Sequence, residues 1–281
     1  MLVALFGKSC ATKREKRYAN GHEAKPYAWP WQVLMLTGEK DWNICGGSLI
    51  SAEFVLTAAH CVRKTKEYDP NNLKLVLGEH RRSKFEGKEV FAEVAEIIRQ
   101  PNYETQNHSN DMALIKLKQP INFAKYRHLR PACLQLEKPI SLKETRCIGT
   151  GWGRINSSGT MPDVLQQLEM KEFCRCDCAD IHEEWYHNGP SYERVTKNHI
   201  CMVSAENSDR GVSYGGVCAG DSGSPLQCLI GNIWKQVGVA WSGTDCEKNP
   251  SVFNRVDAYA EWILKVSGYE TPHHCNEHQY L

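Results

Sequence analysis

Hydrophobic and polar residues alternate in short runs along most of this chain, with turn residues between them. Gln32–Leu36, Gly47–Leu56 and Leu73–Leu77 are three such runs, and a single aspartate opens a fourth in Asn110-Asp111-Met112-Ala113-Leu114-Ile115-Lys116-Leu117. No run in this half keeps an apolar period of 3.6 residues, so the pattern predicts β-strands. After a connector around Pro120–Cys133, short strands resume at Arg146–Gly149, Leu165–Met170 and Trp234–Val239. A helical stripe is legible from Asp257 to Val266, where Tyr259, Trp262, Ile263 and Val266 share a face and Gly268 follows as a stop. The pattern alone fits a sandwich as well as barrels.

Composition narrows the setting. At 281 residues the chain has ample core for one large or two ordinary domains. Its net charge of +1 predicts no nucleic-acid or membrane-surface partner, and no apolar run approaches a bilayer span. Thirteen widely scattered cysteines, without the paired spacing of a zinc ribbon, point to disulfides in an oxidising compartment, and so to secretion. Met1–Gly7 is apolar but shorter than a signal core. His273-His274-Cys275 followed by His278 has zinc-ligand character, against which stands the expectation of a polar, disordered tail from 269 to 281. Asn107-His108-Ser109 and Asn156-Ser157-Ser158 are glycosylation acceptors in predicted loops.

Three segments carry chemistry. Cys218-Ala219-Gly220-Asp221-Ser222-Gly223-Ser224-Pro225 sets a serine between glycines, which lets backbone N–H groups approach a reacting atom. Alone it is no better than a surface turn. Thr57-Ala58-Ala59-His60-Cys61 and the Asp111 strand change that reading. A serine needs a base to take its proton, and the base needs a third group to fix its tautomer. His60, Asp111 and Ser222, in that chain order, supply all three roles. On these motifs the chain resembles the chymotrypsin-like serine endopeptidases from about Arg17 to Val266.

The resemblance implies an all-β fold of two antiparallel six-stranded β-barrels with a C-terminal α-helix. His60 and Asp111 would come from a first barrel at 18–130, and Ser222 from a second at 131–256; the helix would span 257–268. Gly220 and Ser222 would form the oxyanion hole. Residues 1–17 would be a propeptide cleaved after Arg17 in Arg14-Glu15-Lys16-Arg17, by a trypsin-like enzyme or a proprotein convertase, and would stay attached. The new amine on Tyr18 would then pair with Asp221; Tyr18 departs from the family's Ile or Val. Disulfides are implied for Cys45–Cys61, Cys147–Cys228, Cys178–Cys201, Cys218–Cys246 and Cys10–Cys133, the last tethering the propeptide. Cys174, Cys176 and Cys275 are left over, two of them available to bridge the C-terminal tail to the Cys174–Cys178 loop. A structural calcium ion would be held by Glu79, Glu86 and Glu89 with the backbone oxygens of Arg81 and Lys84; a solvated mixed-charge loop is the alternative.

Gly216 stands where trypsin-like members carry an aspartate, and Ser242 and Ser251 stand where wide pockets have glycines. The expected preference is for small or medium apolar residues, with Phe, Tyr or Leu as the runner-up. Ser224 and Ala240 replace a family glycine and serine. Partners would be protein or peptide substrates, an activating protease and protein inhibitors. The competing function is a non-catalytic binding homologue.

Overall fold

A computed structural model describes residues 21–37, 43–62, 73–155, 159–186, 195–205, 215–242, 246 and 248–275. Cys10, Arg17, Tyr18, Asn156 and His278 lie outside the described residues.

The first half is one antiparallel sheet: β2 (Gln32–Thr37), β3 (Asn43–Leu49), β4 (Phe54–Thr57), β5 (Lys74–Leu77), β6 (Val90–Ala92), β7 (Val94–Arg99) and β8 (Ala113–Leu117). The short β1 (His22–Glu23) joins the other half instead. The spatial order is β6-β5-β2-β3-β4-β8-β7. Only Glu93 separates β6 from β7, so the first and last segments of the path are consecutive in the chain and the sheet curls round on itself. The run expected over Gly47–Leu56 is two strands. Ser51 Oγ accepts hydrogen bonds from the Glu53 and Phe54 amides and turns the chain between β3 and β4.

The second half contains β9 (Cys133–Leu134), β10 (Cys147–Gly151), β11 (Gln166–Glu172), β12 (His199–Ser204), β13 (Pro225–Ile230), β14 (Ile233–Ser242) and β15 (Ser251–Arg255). Its path β11-β10-β13-β14-β15-β12 closes because β12 pairs back to β11, giving a six-stranded barrel. The expected all-β, two-barrel fold is the observed one.

Among the described residues two α-helices accompany the sheets. The C-terminal one begins as a 3-10 turn at Asp257–Tyr259 and continues as α2 (Ala260–Ser267), ended by Gly268 at φ 58°. Its Ile263 is fully buried, with Tyr259, in the first-half core beside Leu34, Leu114 and Trp152. The expected face is therefore the packed one. The other, α1 (Arg175–Tyr186), is absent from the sequence expectation; it buries Cys178 and His182 but carries no continuous apolar stripe.

A buried polar chain joins the halves. Trp31 Nε1 donates to Gln227 Oε1 at 3.3 Å, Gln227 Nε2 to Thr150 Oγ1 at 3.2 Å, and Thr150 Oγ1 to Gln32 Oε1 at 2.7 Å. Trp29 meets Trp234 edge-on with centroids 5.1 Å apart. Such satisfied buried bonds fix one relative placement of the halves.

Among the described residues five disulfides form. Four are those expected: Cys45–Cys61, Cys147–Cys228, Cys178–Cys201 and Cys218–Cys246. The fifth corrects two expectations, because Cys133 pairs with Cys275 and not with Cys10. The tail is docked over its first residues and not disordered there. Tyr269 is buried, its hydroxyl donating to Ala132 O at 3.2 Å and accepting from Leu134 N at 2.9 Å, and a 3-10 turn at His273–Cys275 carries the thiol inward. With Cys275 so engaged, the tail makes no bridge to Cys174 or Cys176. The zinc reading of the tail fails for the same reason.

Candidate active site

The histidine sits in a 3-10 turn, Ala59–Val62, directly after β4. Small residues make the turn possible: Ala58 and Ala59 are fully buried, and a larger side chain would displace the core beneath. Asp111 lies just before β8 and is also fully buried. Its Oδ1 accepts the His60 backbone N–H at 2.7 Å and its Oδ2 faces His60 Nδ1 at 2.5 Å. Both carboxylate oxygens therefore hold one residue, which fixes the imidazole with Nδ1 protonated and Nε2 turned away.

Ser222 arrives from the second barrel, in the bend before β13. Gly46 N donates to Ser222 O at 2.7 Å, and Gly46 neighbours Cys45, whose disulfide partner Cys61 follows His60. One bridge thus ties the serine's backbone anchor to the histidine. Among the described residues Ser222 Oγ makes no hydrogen bond to His60 Nε2.

The bend shows a selective pattern of amides. Asp221 N donates to Cys218 O, Gly223 N to Ala240 O and Ser224 N to Asp221 O, all at 2.8–2.9 Å. The Gly220 and Ser222 amides have no protein acceptor among the described residues. These are the two expected oxyanion donors. Gly220 adopts φ 101°, a conformation open to glycine, and a Cβ there would press on Gly153 at 3.0 Å.

Asp221 turns the other way. Its carboxylate accepts Gly153 N at 2.7 Å and Cys218 N at 2.9 Å. Side chains on Gly151 or Gly153 would collide with it at 2.0 and 2.4 Å, so both glycines are needed to house it. Burial pushes its pKa up to about 6. A cavity of about 50 Å³ beside it is lined by Gly21, Gly149, Thr150 and Gly216 among others.

Ser251, expected on the wall of the pocket, packs against Gly216. It is buried, its Oγ accepts Val217 N at 2.9 Å, and a Cβ on Gly216 would meet that Oγ at 1.9 Å. Ser242 ends β14, and its side chain lies outside the described residues. Ser224 fills space against Gly46, where a Cβ would meet its Oγ at 1.8 Å. The departure from glycine is thus accommodated locally.

In the 79–89 loop Glu79 is half-buried. Its pKa is raised by burial and then by the charges of Glu89 and Glu86, against a bond from the His80 amide. For Glu89, burial is outweighed by loop amides, with Glu86 N at 2.6 Å and Lys88 N at 2.9 Å, and its pKa is lowered. The donors are all oxygen and mutually repelling, which fits a hard divalent cation. Among the described residues, no three of these carboxylates lie within 4.8 Å of one another.

Two residues escaped the sequence reading. Asn254, fully buried in β15, donates from Nδ2 to Asp111 O at 2.9 Å. It secures Asp111 where Ala240 offers no hydroxyl. His108 stacks on His60 with centroids 5.5 Å apart and planes 5° apart. It stood in the sequence only as the middle of a glycosylation triplet; its left-handed φ of 59° leaves no composition signal.

A histidine clamped by a carboxylate thus comes from the first sheet, and a serine in a bend with two open amides from the second. The Trypsin family profile matches residues 18–263, and the chain belongs to that family. It is 30% identical over 261 residues to coagulation factor XI of Bos taurus, an alignment covering 91% of this chain and 39% of that protein. The chain therefore spans well under half the length of this relative.

Proposed function

We propose that the chain is a secreted serine endopeptidase working through an acyl-enzyme on Ser222, made as a zymogen. The observation that carries this reading is the clamp of both Asp111 oxygens on His60, together with a serine bend in which the Gly220 and Ser222 amides stay unengaged among the described residues. Ser222 Oγ attacks the scissile carbonyl carbon while His60 Nε2 takes its proton. The carbonyl electron pair moves to oxygen, facing Gly220 N and Ser222 N. As the pair returns, the C–N bond breaks and His60 gives the proton to the leaving amine. Water repeats the sequence to release the acid. Each oxyanion donor contributes about 3–4 kcal/mol in comparable sites.

The activation reading is supported by the cavity that brings Gly21 and Asp221 together. Tyr18 is three residues from Gly21, a reach of about 10 Å when extended. Cleavage after Arg17 would free an amine able to neutralise the buried Asp221. The propeptide would leave, since Cys133 is held by Cys275. Ser251 over Gly216 supports a shallow pocket for small or medium apolar side chains, as in elastase-type members. Glu79, Glu86 and Glu89, with the Arg81 and Lys84 carbonyls, would hold calcium as a structural ion. Extracellular protein substrates, an activating protease and protein inhibitors complete the reading. Among the described residues no helix is long and apolar enough to cross a membrane.

The test is fluorophosphonate labelling and peptide-library cleavage of the chain after cleavage at Arg17. Labelling of the native protein but not of Ser222→Ala, with cuts after Ala, Val or Leu, is expected. No labelling would assign the chain to non-catalytic homologues, and dominant cleavage after Arg would overturn the pocket reading alone.

A further inference from the structure

We propose that Met161 is a positioning residue for the oxyanion hole, held against Gly220 by a clamp built on Asp163. The proposal rests on the protease reading of Ser222. Gly220 takes φ 101°, and glycine populates other conformations as readily, so groups outside it must exclude them. On the face where a side chain would stand, two groups fill the space. Gly153 Cα lies 3.0 Å and Met161 Cε 3.1 Å from an added Cβ. Gly153 is fixed by its amide, which donates to Asp221 Oδ1 at 2.7 Å. Met161 has no comparable anchor of its own, because a thioether is a weak acceptor on an adaptable side chain. Its place therefore depends on what holds its backbone.

That hold comes from the 79–84 loop. Ser83 N donates to Asp163 Oδ1 and Ser83 Oγ to Asp163 Oδ2, each at 2.8 Å, and Arg81 Nη1 adds a bond to Oδ2 at 3.2 Å. The main chain joins in: Arg82 N donates to Asp163 O and Leu165 N to His80 O, both at 2.9 Å. Behind its backbone, Met161 packs on the larger apolar cluster. Asp163 is thus placed to act on Gly220 through Met161. Loss of the clamp would let Met161 withdraw, and the Gly220 amide would lose its aim at the developing oxyanion while ground-state binding is untouched. The sulfur supplies an independent handle. Met35, Met112, Met170 and Met202 are buried, so among the described residues Met161 alone is a half-buried methionine. A peroxide transfers one oxygen atom to its sulfur, giving the sulfoxide and water, and sets a polar group against Gly220.

The cleaved protein is assayed on a peptide anilide with no amino acid past the scissile bond, so that contact of Met161 with a longer substrate is not read. Met161→Ala and Asp163→Ala should each lower kcat about tenfold with KM unchanged, and Met161→Leu should recover most of the loss. Affinity for a peptide aldehyde, whose hemiacetal oxygen needs the oxyanion donors, should fall by the same factor, while affinity for the matching peptide alcohol stays. The double variant should lose no more than the worse single one. Hydrogen peroxide should slow the native protein and leave Met161→Leu at its own untreated rate. A raised KM with unchanged kcat, or equal losses of aldehyde and alcohol affinity, would overturn the positioning role. So would peroxide inactivation that is the same in Met161→Leu. Additive losses in the double variant would overturn the Asp163 clamp. A native protein that takes no fluorophosphonate label would remove the protease reading and this proposal together, whereas labelling with native kcat in both alanine variants would remove this proposal alone.

Discussion

The two halves deliver their parts of the site in different states. In the first barrel, His60 and Asp111 are complete: each carboxylate oxygen has its partner, and Asn254 holds the Asp111 carbonyl. In the second, the Ser222 bend leaves Gly220 and Ser222 amides open and keeps Asp221 as a buried carboxylate with backbone partners alone. The histidine–carboxylate pair is thus built by folding, whereas the Ser222 bend contains a buried carboxyl that meets no cation among the described residues. Under the proposed activation reading, a protein divided this way would be stable and silent until an amine reaches Asp221.

Removing that charge gives the largest expected effect. Asp221→Asn should lower kcat/KM of the cleaved protein about 100-fold or more, comparable to losing an oxyanion donor, with His60 and Asp111 geometry unchanged. In the uncleaved protein the same variant should alter the pH dependence of stability. A carboxyl with a folded pKa of about 6, above its ordinary value of 3.8, binds its proton more tightly in the folded state. Stability then falls as pH rises from about 4 through about 6, by about 3 kcal/mol. Urea unfolding across that range should show the fall in native protein and its absence in Asp221→Asn. Equal slopes would mean that the two halves do not differ as described.

Asn254→Ala probes the completed half. Loss of one hydrogen bond to a buried carbonyl costs about 1–3 kcal/mol. Because Asn254 positions Asp111 without touching substrate, kcat should fall about tenfold with KM unchanged, and the acid limb of the pH–kcat profile should move. A melting-temperature loss with an unaltered profile would reduce Asn254 to a packing role. The smallest effect belongs to calcium. Millimolar calcium should raise the melting temperature by about 2–4 °C, equivalent to roughly 1 kcal/mol in a chain of this size, and Glu86→Gln should abolish the rise.

Legibility in the sequence followed the range of the interactions. His60, Asp111 and Ser222 stand out because each needs small or apolar neighbours in its own segment, and short alternating runs reveal strands within a few residues. The terminal helix was legible through its stripe, and α1 was not, because Cys178 and His182 are its principal buried positions. Cys133–Cys275 spans 142 residues, and its pairing depends on where Tyr269 docks. The contacts of His108 and Asn254 exist only once the two sheets pack together, since Trp241 of β14 reaches His108 O and Asn254 of β15 reaches Asp111 across 143 positions.

That long bridge also sets an order of events in synthesis. After Cys133 is made, 142 further residues must be translated before Cys275 exists, on the order of ten seconds at cellular elongation rates. Throughout that interval Cys133 is a thiol without its final partner, and the earlier-made Cys10 is already in the nascent chain. A transient Cys10–Cys133 link would have to be exchanged for the mature one by thiolate attack. The speed of disulfide exchange during synthesis would then determine how much newly made protein reaches the native connectivity.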